Sequence, residues 1–239
     1  DRLTEKNYVN KINIPTVPYI EIKDIEDLKS VNTDFFPAIL KTRKLGYDGK
    51  GQYIINSSKE IPEIPKNDYI LEKKINLQQE ISIIAVRYQD GTIFTYQPIE
   101  NVHKNQILFK SYSPANSNQS IIEEAKNHAV NFAKKISYVG TFCLEFFITD
   151  KNELLLNEIA PRVHNSGHLT IESYNVSQFE SHLRSVCDLE KIKPLLRYKS
   201  EMTNILGEDI YNYRDKEFKK DEYFPVSYTH LTLPTNSLV

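Results

Sequence analysis

Hydrophobic and polar positions alternate over short stretches in the first hundred residues, and a helical spacing takes over only in places. Residues 19–22, 36–42, 53–56, 69–75 and 80–88 are rich in β-branched and aromatic side chains and read as strands. Asp90-Gly91 is a hairpin signal that sends the chain back through 92–98. Residues 4–12 carry apolar positions on one side and read as a helix capped by Thr4. Asn13-Ile14-Pro15 ends it, because the residue before proline avoids the helical region. Residues 24–31 form a second short helix. Ser120 with Glu123 is a capping box opening a helix to about residue 137, with Ile122, Ala125, Ala129, Phe132, Ala133 and Ile136 as its buried stripe. His128 falls off that stripe, on the surface. Ser177 with Glu180 opens another helix, to about residue 187.

The densest chemistry lies in 140–168, GTFCLEFFITDKNELLLNEIAPRVHNSGH. Residues 142–149 and 154–159 read as the arms of a hairpin. With Lys151-Asn152 as a two-residue loop, Asp150 opposes Glu153, and Glu145 opposes Glu158. Opposed side chains share a face, with Cβ atoms about 4.5–5.5 Å apart. Two carboxylates so placed repel among Phe, Leu and Ile, and a divalent cation between them resolves the conflict, since magnesium takes carboxylate oxygens together with substrate phosphates. The alternative is a register shifted by one residue, with one glutamate turned to solvent. Directly after this arm comes a block of donors and imidazoles, which is costly to place after a buried strand unless it binds something.

Gly46, Gly49 and Gly51 lie between two strands, flanked by Lys41, Lys44 and Lys50. Glycines bring backbone N–H groups close to a ligand, and such groups make anion-binding concavities. The spacing is not that of a Walker A loop, and no helix follows as a dinucleotide fingerprint requires. The stretch is either a phosphate loop or a glycine-rich hairpin with solvated lysines. Glu100, Asn101 and His103 sit at the end of a strand, where an isolated histidine reads as a surface residue.

Composition narrows the setting. A 40% hydrophobic and 26% charged chain of 239 residues builds a globular core, and a net charge of −2 without a basic arm argues against a general nucleic-acid binder. Two widely spaced cysteines make no zinc pattern and point to a reducing compartment. With no long apolar run and no signal peptide, the expectation is a cytoplasmic protein with no membrane span. The chain starts at Asp1, and Met202 is its only methionine. The stretch 226–235, VSYTHLTLPT, matches a translated sequencing adapter, so 226–239 is expected to be non-native and the chain an internal fragment.

FPAILKTRKLGYDGKGQ at 36–52, EKKI at 72–75, Glu80, ENVH at 100–103 and LLLNEIAPRVHNSGH at 154–168 together resemble the ATP-grasp ligases of purine biosynthesis, the 5-(carboxyamino)imidazole ribonucleotide synthases in particular. The resemblance covers about residues 1–210, and HNSGH is its specific part. It implies an α+β ATP-grasp fold, two subdomains clasping ATP, with the N-terminal domain missing and the C-terminal domain truncated. In that scheme 1–21 leads into the core, 22–80 is the lid subdomain, 81–200 is the core subdomain with the metal and substrate site, 201–225 begins the C-terminal domain and 226–239 is the tail.

The implied activity is ATP-dependent carboxylation of 5-aminoimidazole ribonucleotide with bicarbonate through carboxyphosphate. The alternatives are another acyl-phosphate ligase, such as formate-dependent glycinamide ribonucleotide transformylase, or ATP binding without turnover. The implied cofactors are ATP and magnesium, and the implied assembly at full length is a homodimer. By motif, Arg2, Lys41, Gly46, Tyr47, Asp48, Gly49, Lys50, Gly51, Gln52, Glu72, Lys73, Lys74, Ile75, Glu80, His103, Asn157 and Glu158 would bind the nucleotide. Glu145 and Glu158 would hold magnesium. Arg162 and His164 would face bicarbonate and carboxyphosphate, and Asn165, Ser166 and His168 would orient the aminoimidazole.

Overall fold

The computed structural model describes residues 1–44, 51–61, 63–65, 68–205 and 207. Asp1–Asn204 forms one compact unit, and most of the expected C-terminal segment and all of 226–239 lie outside the described residues.

Four strands, β1 (Tyr19–Ile22), β2 (Ala38–Thr42), β3 (Gln52–Ile55) and β4 (Tyr69–Lys73), make an antiparallel sheet in the order β1-β4-β2-β3. Short helix α2 (Ile25–Ser30) packs Leu28 into its core with Ile22, Leu40, Ile55 and Leu71. A second sheet of seven strands contains β5 (Leu77–Arg87), β6 (Ile93–Thr95), β7 (Ile99–Lys104), β8 (Ile107–Ser113), β9 (Gly140–Thr149), β10 (Leu154–Ala160) and β11 (Ser200–Thr203). Its order is β10-β9-β5-β7-β8-β11, with β6 also pairing β5. Mixed helices and antiparallel sheets give the expected α+β class. Boundaries placed at residues 22 and 81 each cut a strand, β1 and β5.

The seven-stranded sheet has two unlike faces, and this is what builds the site. Period-2 alternation sends Ile81, Ile83 and Ala85 with Phe142, Leu144, Phe146 and Ile148 to one face. There α1 (Arg2–Lys11) contributes Val9, and α3 (Gln119–Lys135) contributes Ala125, Ala129, Phe132 and Ala133. The alternate residues Glu80, Ser82 and Ile84 of β5 and Cys143 and Glu145 of β9 look the other way. Part of that second face is covered by Ala160, Leu169 and Tyr174, near α4 (Thr170–Ser173).

Several local details differ from expectation. Asp1, not Thr4, caps α1, accepting the N–H groups of Leu3 and Thr4 at 3.1 Å each. Asn118, not Ser120, caps α3, accepting from Ser120 N–H at 3.1 Å. Asp and Asn cap at least as well as Ser and Thr, and with them the two helices start three and two residues earlier than expected. His128 is half-buried, stacked on Phe146 with centroids 6.0 Å apart. The β7–β8 hairpin turns through Asn105 and Gln106, both at positive φ (51° and 66°), without the glycine that normally announces such a turn. The cap of α5 (Gln178–Val186) is as expected: Ser177 Oγ accepts from Glu180 N–H at 3.1 Å. Ser177→Ala should therefore cost about 1 kcal/mol and lower the melting temperature by about 2–4 °C, read by thermal unfolding.

Candidate active site

Glu145 and Glu158 are directly opposed on β9 and β10, but not by the simple count. The connecting loop has three residues, not two. Thr149 N–H donates to Glu153 C=O at 3.0 Å, and Asn152 closes the turn at φ 61°. This pairs Leu154 with Ile148 and Leu156 with Phe146, one residue away from the expected register. A β-bulge between Leu156 and Glu158 then adds Asn157 and restores the Glu158–Glu145 pair. The bulge lets Leu156 and Ile159 both reach the apolar face while Glu158 turns to the other, the kind of re-aiming bulges provide. Side chains of α1 pin it: Lys6 Nζ donates to Asn157 C=O at 3.3 Å, and Glu5 Oε1 accepts from Ile159 N–H at 3.0 Å.

The two carboxylates are not equivalent. The Glu158 side chain is 53% exposed, with Arg2 at 3.9 Å, whereas Glu145 is 18% exposed and lies 3.2 Å from His164 Nε2. Burial, with the repulsion of Glu158, pushes the Glu145 carboxyl up to about 7, while His103 and Lys41 act in the opposite sense. Glu5 is also raised, to about 7, chiefly by burial. Burial and the neighbouring Arg162 depress His164 to about 3, so its imidazole is neutral. His103 Nδ1 lies 2.7 Å from Glu80 Oε2. Burial alone would lower this imidazole, but the Glu80 carboxylate holds it above its ordinary value.

His164 is the best-held side chain of the group. Its Nδ1 pairs with Ser166 Oγ at 2.8 Å, and Ser166 Oγ donates to Ser82 Oγ at 3.1 Å. Ser82 also accepts from Asn101 Nδ2, and Asn101 Oδ1 accepts from Ser111 Oγ at 2.9 Å. The backbone of His164 is bracketed by Gln178, which accepts from its N–H at 2.9 Å and donates to its C=O at 2.7 Å. Gln178 is fully buried, and Gly167 lets it lie there: a Cβ at Gly167 would fall 2.5 Å from Gln178 Oε1. Ser166 was expected to contact substrate, but it is fully buried and its hydroxyl is used by His164 and Ser82. Arg162 is exposed, its guanidinium donating to Val163 C=O at 2.9 Å. Asn165 is half-buried. His168 packs 5.4 Å from the Phe179 ring, and burial lowers it to about 4.

On the four-stranded sheet, Lys41 of β2 and Glu72 of β4 are diagonal neighbours, since Lys41 pairs with Ile70 and Glu72 with Ile39, and Lys41 Nζ donates to Glu72 Oε2 at 2.7 Å. Burial would raise the Glu72 carboxyl, but Lys41 and Lys6 hold it below its ordinary value. Lys73 and Lys74 give their N–H groups to Pro18 and Pro37 at 2.9 Å each, and 74–76 links the two sheets. Gly51 has φ 72°, and Gln52 opens β3. Gly46, Tyr47, Asp48, Gly49 and Lys50 lie outside the described residues.

Glu5, Lys6, Ser82, Asn101 and Gln178 were not expected at the site. Lys6 had a signal: it stands four residues after Arg2, on one face of α1 with Val9. Gln178 had none, since a glutamine at the start of a helix reads as solvated.

Among the described residues, no three His, Cys, Asp or Glu side chains cluster to hold a metal by themselves. Two opposed carboxylates in mutual repulsion suit an ion that fills its remaining positions with phosphate and water, as magnesium does. They would hold it, with Asn157 beside them.

A four-stranded antiparallel sheet joined by a short link to a larger sheet, with cations on one and paired acids on the other, defines a class. The chain belongs to the ATP-grasp family: the ATP-grasp domain model matches residues 7–179. Within that family the similarity runs to the N5-carboxyaminoimidazole ribonucleotide synthases. The enzyme of that name from Staphylococcus aureus (strain MRSA252) is 41% identical over 222 residues, covering 88% of this chain and 57% of its own length. The solved ADP complex of an N5-carboxyaminoimidazole ribonucleotide synthetase superposes with a TM-score of 0.84 at 36% identity, over 88% of this chain and 57% of that one. The synthase from Aspergillus clavatus, solved with ADP and 5-aminoimidazole ribonucleotide, gives 0.80 at 29% identity, over 87% and 57%. The chain thus spans a little over half the length of the relatives it matches. Among the described residues, no helix is long and apolar enough to cross a membrane.

Proposed function

We propose that this chain is the ATP-binding and carboxylating part of an N5-carboxyaminoimidazole ribonucleotide synthase. The observation that carries this reading is the Glu145–Glu158 pair, aimed by a bulge to the face that also bears His164. The reaction runs in two steps. A bicarbonate oxygen attacks the γ-phosphorus of ATP, ADP leaves, and carboxyphosphate forms. The amine of 5-aminoimidazole ribonucleotide then takes the carboxyl group, directly or as released carbon dioxide, and phosphate departs. Magnesium, when bound, neutralises charge on the transferring phosphoryl group.

The residues divide this work. Lys41 and Arg2 contact the phosphates. Glu72 to Ile75 line the adenine pocket, Glu80 takes the ribose hydroxyls, and His103 orients Glu80 on the phosphate side. The Arg162 guanidinium attracts bicarbonate and carboxyphosphate. His164, neutral and held with Nδ1 toward Ser166, keeps Nε2 toward Glu145 and the incoming carboxyl group. Asn165 and His168 contact the aminoimidazole. Ser166 serves this site through His164. At the relatives' length the protein is a homodimer.

Binding is the function testable on this chain, and turnover belongs to the protein at its relatives' length. Titration calorimetry with ADP should show binding that magnesium strengthens; no binding by the folded chain would sink the reading. At full length, phosphate release from ATP should require bicarbonate, and formate should not replace it. Lys41→Ala should weaken ADP binding about tenfold even without magnesium, by removing one charge-assisted contact. An unchanged dissociation constant would remove Lys41 from the phosphate site.

A further inference from the structure

Two lysines and one glutamate share a buried site between α1 and the four-stranded sheet, and their charges do not balance. Lys6 Nζ lies 3.3 Å from Glu72 Oε1, and Lys41 Nζ lies 2.7 Å from Glu72 Oε2. Glu72 and Lys6 are nearly inaccessible, while Lys41 keeps an 11% exposed side chain. One lysine would neutralise Glu72. A second buried ammonium adds a desolvation cost of several kcal/mol, so the arrangement is not chosen for stability.

The two lysines differ in how they are tied. Lys6 has three partners on three elements: Glu72 on β4, the carbonyl of bulge residue Asn157 on β10, and the Tyr19 ring on β1, 6.0 Å away. Moving it would strand a carboxylate and a carbonyl together. Lys41 has, among the described residues, one hydrogen-bonded partner, Glu72. It is also the more exposed of the two, near the end of β2.

We propose that Lys6 is a positioning residue that keeps Glu72 ionised and in place, so that Lys41 can leave Glu72 for an anionic phosphate oxygen of the nucleotide. The triad carries a net charge of +1 before the anion arrives and zero once one phosphate charge joins it. The departure of Lys41 then leaves no uncompensated buried carboxylate, because the Lys6–Glu72 pair remains. With Lys6 absent, Lys41 would be the sole counter-ion of Glu72 and would stay with it. The proposal rests on the nucleotide reading above and adds to it a residue that never touches the nucleotide.

The test is calorimetric titration of the 239-residue chain with ADP and, separately, with adenosine, both without magnesium. In Lys6→Met the ADP dissociation constant should rise about tenfold or more while that of adenosine moves less than about threefold. Lys6→Arg should return ADP affinity to within about threefold of the parent. Unchanged ADP affinity in Lys6→Met overturns the proposal. So does an equal loss for ADP and adenosine, which is what a merely structural lysine would give. If Lys6→Met does not fold, Glu72→Gln carries the test, because it removes the anion that Lys41 must leave. The ratio of ADP to adenosine affinity should then rise about threefold or more, and an unchanged or lower ratio overturns the proposal. Failure of the parent chain to bind ADP at all would instead end the nucleotide reading itself.

Discussion

Glu158→Gln is expected to leave the chain folded and to remove most of the ADP affinity that magnesium adds, a loss of about 100-fold, or about 2.7 kcal/mol. The fold should survive because nothing structural hangs on this carboxylate. It is half-exposed, and the bulge that presents it is held through the carbonyl of Asn157 and the N–H of Ile159, both of which the substitution keeps. Binding should fail because the ion loses one of two charged ligands, and magnesium relies on few protein carboxylates. The same change relieves the repulsion that helps to raise Glu145, so the metal-free protein should be no less stable than the parent. Titration with ADP at zero and saturating magnesium reads the increment directly. A full magnesium increment in Glu158→Gln would remove the pair from metal binding.

The pairing of Glu145 with Glu158 was legible in the sequence, although two errors had to cancel for the count to succeed. The loop is one residue longer than counted, and the bulge at Asn157 adds the residue back. Neither has a local signal of the glycine kind. Asn152 supplies the left-handed turn residue, and the bulge follows from packing, since Leu156 and Ile159 must both reach the apolar face. The β7–β8 hairpin was hidden for a similar reason, because Gln106 takes a positive φ that its side chain does not advertise. Strands and helices with strong apolar periodicity, such as β9 and α3, could be read directly. What a single sequence does not carry is the set of contacts made across elements: Lys6 reaching β4 and β10, and Gln178 reaching the backbone of His164. These partners are 66, 151 and 14 residues apart, and only the assembled sheet brings them together.

Gly167→Ala is expected to destabilise the protein by about 3 kcal/mol and to lower its melting temperature by about 6–12 °C. A new Cβ would meet Oε1, Cδ and Nε2 of Gln178 at 2.5, 2.6 and 2.9 Å. The tip of a glutamine usually swings aside at little cost. This one is fully buried and fixed by two hydrogen bonds to the His164 backbone, so moving it breaks both and leaves buried polar groups unpaired. The damage should reach the site as well as the fold, since the backbone of His164 is what Gln178 holds. Gln178→Ala removes the obstruction along with the bonds. Gly167→Ala and Gln178→Ala together should therefore cost clearly less than the sum of the two singles, as expected for residues competing for one space. Thermal unfolding of the four proteins in this cycle measures the coupling. Strict additivity would mean that Gly167 and Gln178 do not constrain one another, and the clamp on His164 would lose its support.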